Sequence, residues 1–378
     1  MALAQYDTRS YFKFAHRQNQ DGGPELSGTE QRNPGGLLDI SAISQRNSDG
    51  VPDINETSQL SRSRNPIYHQ TRVHRGKKTL YPLTLTNPYV MNNPNLCKNT
   101  TNLAFLTIVH TATNHFERRR LMRETWANKN LFKNISTRIV FMLGLTGNKT
   151  VQKLLENEQA KHADMVQGEF LDSYHNLTHK GVLAFRWIHE YCKHSKMIVK
   201  VDDDVFLNPF VFVQDLMPKY KDEERFVLCH KRPVGTSGIM RVSSAKWFVK
   251  ADKFRGYKTF PIVHCFGFFV VISPDIIQSL YQASCFTPFF WIDDVYLYGM
   301  LPFQIGHVKH ENVPEGATGY GGDAKMCVTN SSFCRFLLYG DVRDVSVGKK
   351  LWIGILKGLT KEQKELVNRD YILTSRPK

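Results

Sequence analysis

Three consecutive carboxylates, Asp202, Asp203 and Asp204, close the short apolar run Met197-Ile198-Val199-Lys200-Val201. A β-branched run of that length reads as a buried strand. Side chains alternate along extended backbone, so Asp202 and Asp204 share one side and Asp203 takes the other. Two carboxylates on one side, at the carboxyl end of a strand, suit a hard divalent cation such as Mn²⁺ or Mg²⁺. Without a cation, like charges at that spacing raise one another's pKa. Val205-Phe206-Leu207 then returns to apolar sequence, so core flanks the acids on both sides. A plain acidic turn capping the next helix would use the same residues; the rest of the chain is what favours chemistry.

A second acidic pair, Asp293-Asp294, follows Phe289-Phe290-Trp291-Ile292 and precedes a helical stretch. Capping is again the bland reading. The functional one is a carboxylate held beside apolar and aromatic walls, where burial raises its basicity. A cation-binding acidic site plus a separate base is the equipment for moving a group from a diphosphate donor. The cation neutralises the leaving diphosphate, and the base takes a proton from the attacking hydroxyl.

The elements that must position these acids alternate. Leu103 to Val109 reads as a first strand, Glu117 to Asn128 as a helix and Arg138 to Leu143 as a second strand ended by Gly144. Val151 to His162 is helical, Ala163 to Val166 a short strand, and His175 to Cys192 a longer helix with Leu177, Ala184, Trp187, Ile188 and Tyr191 at helical spacing. This β-α-β-α-β-α-β order predicts an α/β fold with a mostly parallel sheet flanked by helices. Ligands in such sheets sit outside the carboxyl ends of the strands, where Asp202 to Asp204 fall. The second half is more mixed. Phe226 to Cys229, Ile239 to Val242 and Cys265 to Ser273 are expected strands, and Pro274 opens a helix through Tyr281. Residues 341–378 read as a basic C-terminal extension with a helix over Thr360 to Val367. Residues 1–96 are rich in Asn, Gln, Ser, Arg, Gly and Pro without a sustained period and read as a disordered or stem-like segment. The catalytic domain is expected over 97–340.

The chain has 378 residues and a formal net charge of +15. Basic residues cluster only at Arg118-Arg119-Arg120 and Arg75-Gly76-Lys77-Lys78, with no nucleic-acid-binding motif beside them. A generally basic surface is therefore expected, and no nucleic-acid partner. The cysteines, seven in all, form no Cys-x-x-Cys pair, which argues against a structural zinc site. Asn-x-Ser/Thr sequons stand at Asn55, Asn99, Asn134, Asn148, Asn176 and Asn330. Cysteines and sequons together favour a secretory compartment with some disulfides and one thiol left over. Cys327 and Cys334 are close enough to bridge a local loop. No stretch of about 20 apolar residues is visible, and Met1 opens no signal-peptide pattern.

Five blocks in register carry a resemblance. They are Glu117 to Trp126 (ERRRLMRETW), Phe141 to Gly144, Gln167 to Lys180, Lys200 to Phe206 (KVDDDVF) and Asp293 to Gly299 (DDVYLYG). Together they resemble the β1,3-galactosyltransferase family, glycosyltransferase family 31, which includes β1,3-N-acetylglucosaminyltransferases. The likeness covers about residues 103 to 310. It implies a GT-A-like fold, a UDP-sugar donor, Mn²⁺ and inversion at the sugar carbon, with a glycoprotein or glycolipid acceptor. It implies that Asp204 ligates the metal, with Asp202 near the metal or the donor ribose and Asp203 between them. Asp294 would be the base, Arg118, Arg119, Arg123 and Trp126 would support the donor, and Trp291 would stand on the acceptor side. Either His307 or His310 would complete the metal site. It also implies a Golgi membrane location with the catalytic domain in the lumen. Two departures stand out. Asp293 replaces the family's usual Glu, which moves an acceptor contact. Phe269 occupies a usual glycine position, where a large ring would reshape the acceptor pocket. That substitution motivates a rival expectation, a catalytically silent UDP-sugar- or glycan-binding protein of the same fold.

Overall fold

The computed structural model describes residues 87–98, 100, 102–330, 334–368 and 371. The expected stem falls outside them, except that 87–96 already belong to the folded body. Val90 N–H bonds the carbonyl of Gln167 at 2.8 Å, Trp187 Nε1 donates to Asn92 at 2.7 Å, and Cys97 is disulfide-bonded to Cys192. Order thus begins earlier than the composition break at Cys97 suggests, because these polar residues are held by hydrogen bonds rather than by an apolar pattern.

The elements run β1 (Leu103–His110), α1 (Phe116–Glu124), β2 (Ser136–Leu145), α2 (Lys149–His162), β3 (Met165–Leu171), α3 (Leu177–Tyr191), β4 (Ile198–Asp202) and β5 (Phe206–Leu207). Then come β6 (Phe226–Arg232), β7 (His264–Ile272), α4 (Ile277–Ser284), β8 (Lys309–Asn312), β9 (Thr318–Gly319), α5 (Gly321–Thr329), β10 (Leu338–Tyr339), α6 (Val345–Lys357) and α7 (Lys361–Leu366). The main sheet has the order β3-β2-β1-β4-β7-β6-β8. From β3 to β4 all neighbours are parallel, β7 runs antiparallel to β4 and β6, and β8 is parallel to β6. This is the mostly parallel, helix-flanked α/β sheet that the alternation predicts. A smaller sheet, β5-β10-β9, lies beyond the acids.

Two sequence expectations fail. Ile239 to Val242 is not a strand: Val242 is exposed, and the stretch is held by irregular bonds instead of a ladder, among them Ile239 N–H to Lys258, Val249 N–H to Met240 and the Arg241 guanidinium to the carbonyls of Val249, Lys250, Lys253 and Phe254. Four residues between glycine and serines cannot sustain a ladder. Residues 341–368 are also no loose appendage. The side chains of Leu351, Trp352 and Ile355 on α6 enter the same core as Val109, Val201 and Phe206. The Trp352 ring stacks on Phe210 at 6.1 Å and meets Tyr371 at 6.3 Å. Charged residues on the outer face of α6 masked this apolar stripe in the composition.

The cysteines pair as Cys97–Cys192, Cys229–Cys265 and Cys327–Cys334, leaving Cys285 free. The second bridge ties β6 to β7 beside the strand that supports Asp294.

Truncating a large ring in a core that resists collapse costs about 3–5 kcal/mol. Trp352→Ala is therefore expected to lower the stability of the whole body by that amount in one cooperative denaturant transition. A separate early transition, leaving the main melt untouched, would mean that α6 is peripheral.

Candidate functional site

The chain after β4 turns sharply, and the three acids part company. Asp203 points back under β1: it accepts from Thr111 Oγ1 at 2.6 Å and Arg118 at 2.8 Å, and meets His115 Nδ1 at 2.7 Å. These donors outweigh the cost of burial and hold its carboxyl well below the usual range. Asp203 is a structural anchor for the loop after β1, and it occupies Arg118. Asp204 is 8% exposed. Burial, then the nearby charges of Asp202 and Asp203, push it up to about 7, against the pull of Arg118. An acid so placed lacks a counter-charge.

Asp202 ends β4 on the same side as Lys200, whose Nζ donates to it at 2.5 Å. The same ammonium donates to the carbonyl of Gly267 on β7. Lys200 is buried, and it faces Asp202, Asp293 and Asp294 at once. The sequence reading missed it, although two-residue alternation puts Lys200 on the side of Asp202.

Asp293 and Asp294 open a short helix, Asp293–Val295, that continues as a π-helical turn over Tyr296–Met300. Such turns recur at functional sites. Burial pushes Asp293 up to about 6, with Lys200 opposing. Burial and the charge of Asp293 push Asp294 further, well above the ordinary carboxyl value, while Lys200 and the Gly267 N–H act against them. Gly267 is what lets β7 and this acid come so close. A Cβ on it would come to 2.0 Å from Asp294 Oδ1.

The other residues expected at the site go separate ways. Arg119 is fully buried and grips Glu158 and the carbonyl of Ala112. Arg123 binds Asp164 at 2.8 Å through two nitrogens and Glu158 at 2.6 Å. Both guanidinium groups are consumed inside the fold, so neither reaches a donor; they lock α1 to α2. Trp126 is core, beside Phe206. Phe269 is a further correction. It pairs with Val201 across β4 and β7 and lies fully buried in the core with Val199 and Val271. It does not line the acidic cleft, because β7 carries a bulge between Phe266 and Val270 that shifts the side-chain alternation. His310 on the outer strand β8 engages the Tyr298 carbonyl, His307 lies just before β8, and no cluster of three metal-ligating side chains occurs among the described residues.

Trp291, two residues before Asp293, packs on the turn before α3. Its ring lies 4.4 Å from His175 and 6.3 Å from Tyr174. Lys246, near Asp204, sits 4.0 Å over the Tyr174 ring. Of the sequons, Asn134 is surface-exposed and Asn148 caps α2 by accepting from Thr150 and Val151. Asn176 donates to Leu171 while its partner Thr178 is buried. Asn330 is exposed, and Asn55 and Asn99 lie outside the described residues.

The galactosyltransferase family profile matches residues 117–314. Beta-1,3-galactosyltransferase 1 of Homo sapiens is 30% identical over 230 residues, which is 59% of this chain and 68% of that protein. A lactosylceramide 1,3-N-acetyl-beta-D-glucosaminyltransferase A of Danio rerio is 30% identical over 244 residues, 62% of this chain and 63% of that one. The apo structure of the bifunctional glycosyltransferase WbbM overlays with a TM-score of 0.38 at 10% identity, over 68% of this chain and 52% of the other, too loosely to carry an argument.

A methyl group forced against Asp294 must displace either the acid or β7. Gly267→Ala is expected to cost about 1–3 kcal/mol by this overpacking, read as a lower denaturation midpoint. In the double variant Gly267→Ala, Asp294→Gly the cost should largely vanish; if it persists, the close approach is not its source.

Proposed function

The chain belongs to the galactosyltransferase family and is a glycosyltransferase, and on that footing we propose an inverting transfer of galactose or an N-acetylhexosamine from a UDP-sugar to a glycan hydroxyl through a β1,3 linkage. The observation that carries this reading is the half-buried Asp294, met by the Gly267 N–H and faced by Lys200. A carboxylate with raised basicity, fixed by backbone, is suited to take the proton of an acceptor hydroxyl. Family membership supports the donor class and linkage, since the named relatives are β1,3-transferases. The rival of a silent binder rested on Phe269 in the pocket, and with Phe269 in the core nothing favours it.

Asp202 and Asp204 are the residues that would hold Mn²⁺. The fit is supported by Asp204, a buried carboxylate whose raised pKa marks a missing counter-charge. When bound, the cation would neutralise the diphosphate leaving group. Two protein carboxylates leave the remaining positions to donor oxygens and water. Asp203 stays with Arg118 and Thr111 and keeps the turn in shape. Lys200 holds the Asp202 side and the Gly267 side together.

We further propose a Golgi location with the catalytic body in the lumen. Three disulfides among the described residues support an oxidising compartment. Among those residues no helix is long and apolar enough to cross a membrane.

Asp294→Asn is expected to lower kcat by about 10²–10⁴-fold, the usual range for a lost general base, with UDP affinity kept. Full turnover in that variant would overturn the role of Asp294. UDP release from UDP-galactose, UDP-N-acetylglucosamine and UDP-N-acetylgalactosamine against an acceptor panel names the donor.

The metal reading has a test without turnover. A carboxyl raised in the fold is stabilising only while protonated, so the metal-free protein should lose stability as pH rises from the unfolded value of about 4 through the folded value of about 7. Saturating Mn²⁺ should then raise the melting temperature by roughly 4 °C or more near pH 7.5 and far less near pH 5.5, where protons occupy Asp204. An equal shift in Asp204→Asn would remove Asp204 as a ligand.

A further inference from the structure

The sequon Asn148-Lys149-Thr150 opens α2 on bare surface. Residues 147–150 are all exposed, and nothing lies within 4 Å of where a Cβ on Gly147 would be. Asn148 is the N-cap, in extended backbone at φ −99° and ψ 111°. Its Oδ1 accepts from the Thr150 N–H at 2.9 Å and the Val151 N–H at 3.2 Å. A carboxamide is planar, so fixing its oxygen on the helix end turns its nitrogen the other way. Among the described residues Nδ2 of Asn148 makes no bond. Asn176 differs: its Nδ2 already donates to the Leu171 carbonyl at 2.8 Å. The surroundings of Asn148 also lack cover. β3 is the outer strand of the main sheet. Val90 and Met91 cover it at Gln167. Further along, Leu171 is 61% exposed and pairs with Leu145, three residues before Asn148. An open edge strand with an exposed apolar side chain is a template for association.

We propose that Asn148 is an N-glycosylation site and that its glycan shields the open end of β3. The inference rests on the lumenal location proposed above. Amide glycosylation joins Nδ2 to the anomeric carbon of an oligosaccharide carried on a lipid diphosphate. The bond from that carbon to the diphosphate oxygen breaks, and its electron pair leaves with the diphosphate. One Nδ2 proton passes to a base of the transferring enzyme. The asparagine carboxamide has two N–H groups and one carbonyl oxygen. Only an N–H is consumed, so Oδ1 keeps both bonds that cap α2, and cap and glycan do not compete. Thr150 follows the same division. Its main-chain N–H serves the cap, while its side chain stays on exposed surface to complete the sequon. A glycan is bulky and solubilising. Rooted at Asn148, it stands at the carboxyl end of β2, next to the part of β3 that no other strand pairs.

The test uses the full chain, made in eukaryotic cells behind a cleavable secretory signal. The signal places the chain in the lumen, so the experiment reads the site itself. The location is read separately, by imaging the native protein against a Golgi marker. Peptide N-glycosidase in heavy-oxygen water converts each occupied asparagine to a labelled aspartate, which peptide mass then identifies. Asn148 is expected among them, and Thr150→Ala should lose that label alone. An unlabelled Asn148 in the secreted chain would overturn the site. Stability separates the cap from the glycan. Asn148→Asp keeps a capping oxygen and Thr150→Ala keeps Asn148, so both should melt within about 1 °C of the deglycosylated wild type. Asn148→Ala loses the cap and should melt about 2–4 °C lower. Equal losses in all three variants would mean that cap and glycan are not independent. For the shield, Thr150→Ala should self-associate as concentration rises in light scattering, and adding Leu171→Lys should abolish this. A Thr150→Ala protein that stays monomeric throughout, or association that Leu171→Lys leaves intact, would refute the shielding.

Discussion

A single buried ammonium holds the acidic cleft together. Four carboxylates, Asp202, Asp204, Asp293 and Asp294, lie at the carboxyl end of one sheet, and their mutual repulsion would open it. Lys200 answers this by bonding Asp202 on its own strand and the Gly267 carbonyl on the next. Its field also reaches Asp293 and Asp294. Asp204, Asp293 and Asp294 all stay raised above the ordinary carboxyl value, by burial first and by the charge of neighbouring acids. The body is thus built around an ionic cluster with more carboxylates than cations.

Around that cluster, most of the other charged side chains work as scaffold. The Arg119–Glu158–Arg123–Asp164 network is buried and fully paired. Such a network adds little net stability over an apolar replacement, but breaking one partner leaves a stranded charge. Its position explains its cost. It fixes α1 against α2, and α1 carries Arg118, which in turn fixes Asp203 and the turn that releases Asp204.

Much of this was legible in the sequence. The alternation of strands and helices gave the sheet, and Asp203 does part from its neighbours, through the turn after β4 and not through strand parity, which ends at Asp202. The acid pair 293–294 was readable because aromatic residues precede it. What stayed hidden depended on tertiary partners. Nothing local distinguishes Arg118, which meets Asp203, from Arg119 and Arg123, which meet Glu158 and Asp164 some 40 residues away. Phe269 misled because a bulge in β7 resets the alternation between Gly267 and Phe269, and a bulge leaves no mark in composition. Lys200 was overlooked as an ordinary strand lysine, although its parity matched Asp202.

The way Asp294 is held has a consequence for how such a protein can diverge. Its aim is set by a main-chain amide and by the absence of a side chain at Gly267. Neither depends on the identities of Phe266 and Phe268, the residues on either side. Sequence drift along this stretch of β7 can therefore remodel the surroundings of Asp294 while its carboxylate, the base of the proposed reaction, stays where it is. A lineage that keeps one glycine and its strand pairing is free to try new substrates without rebuilding its chemistry.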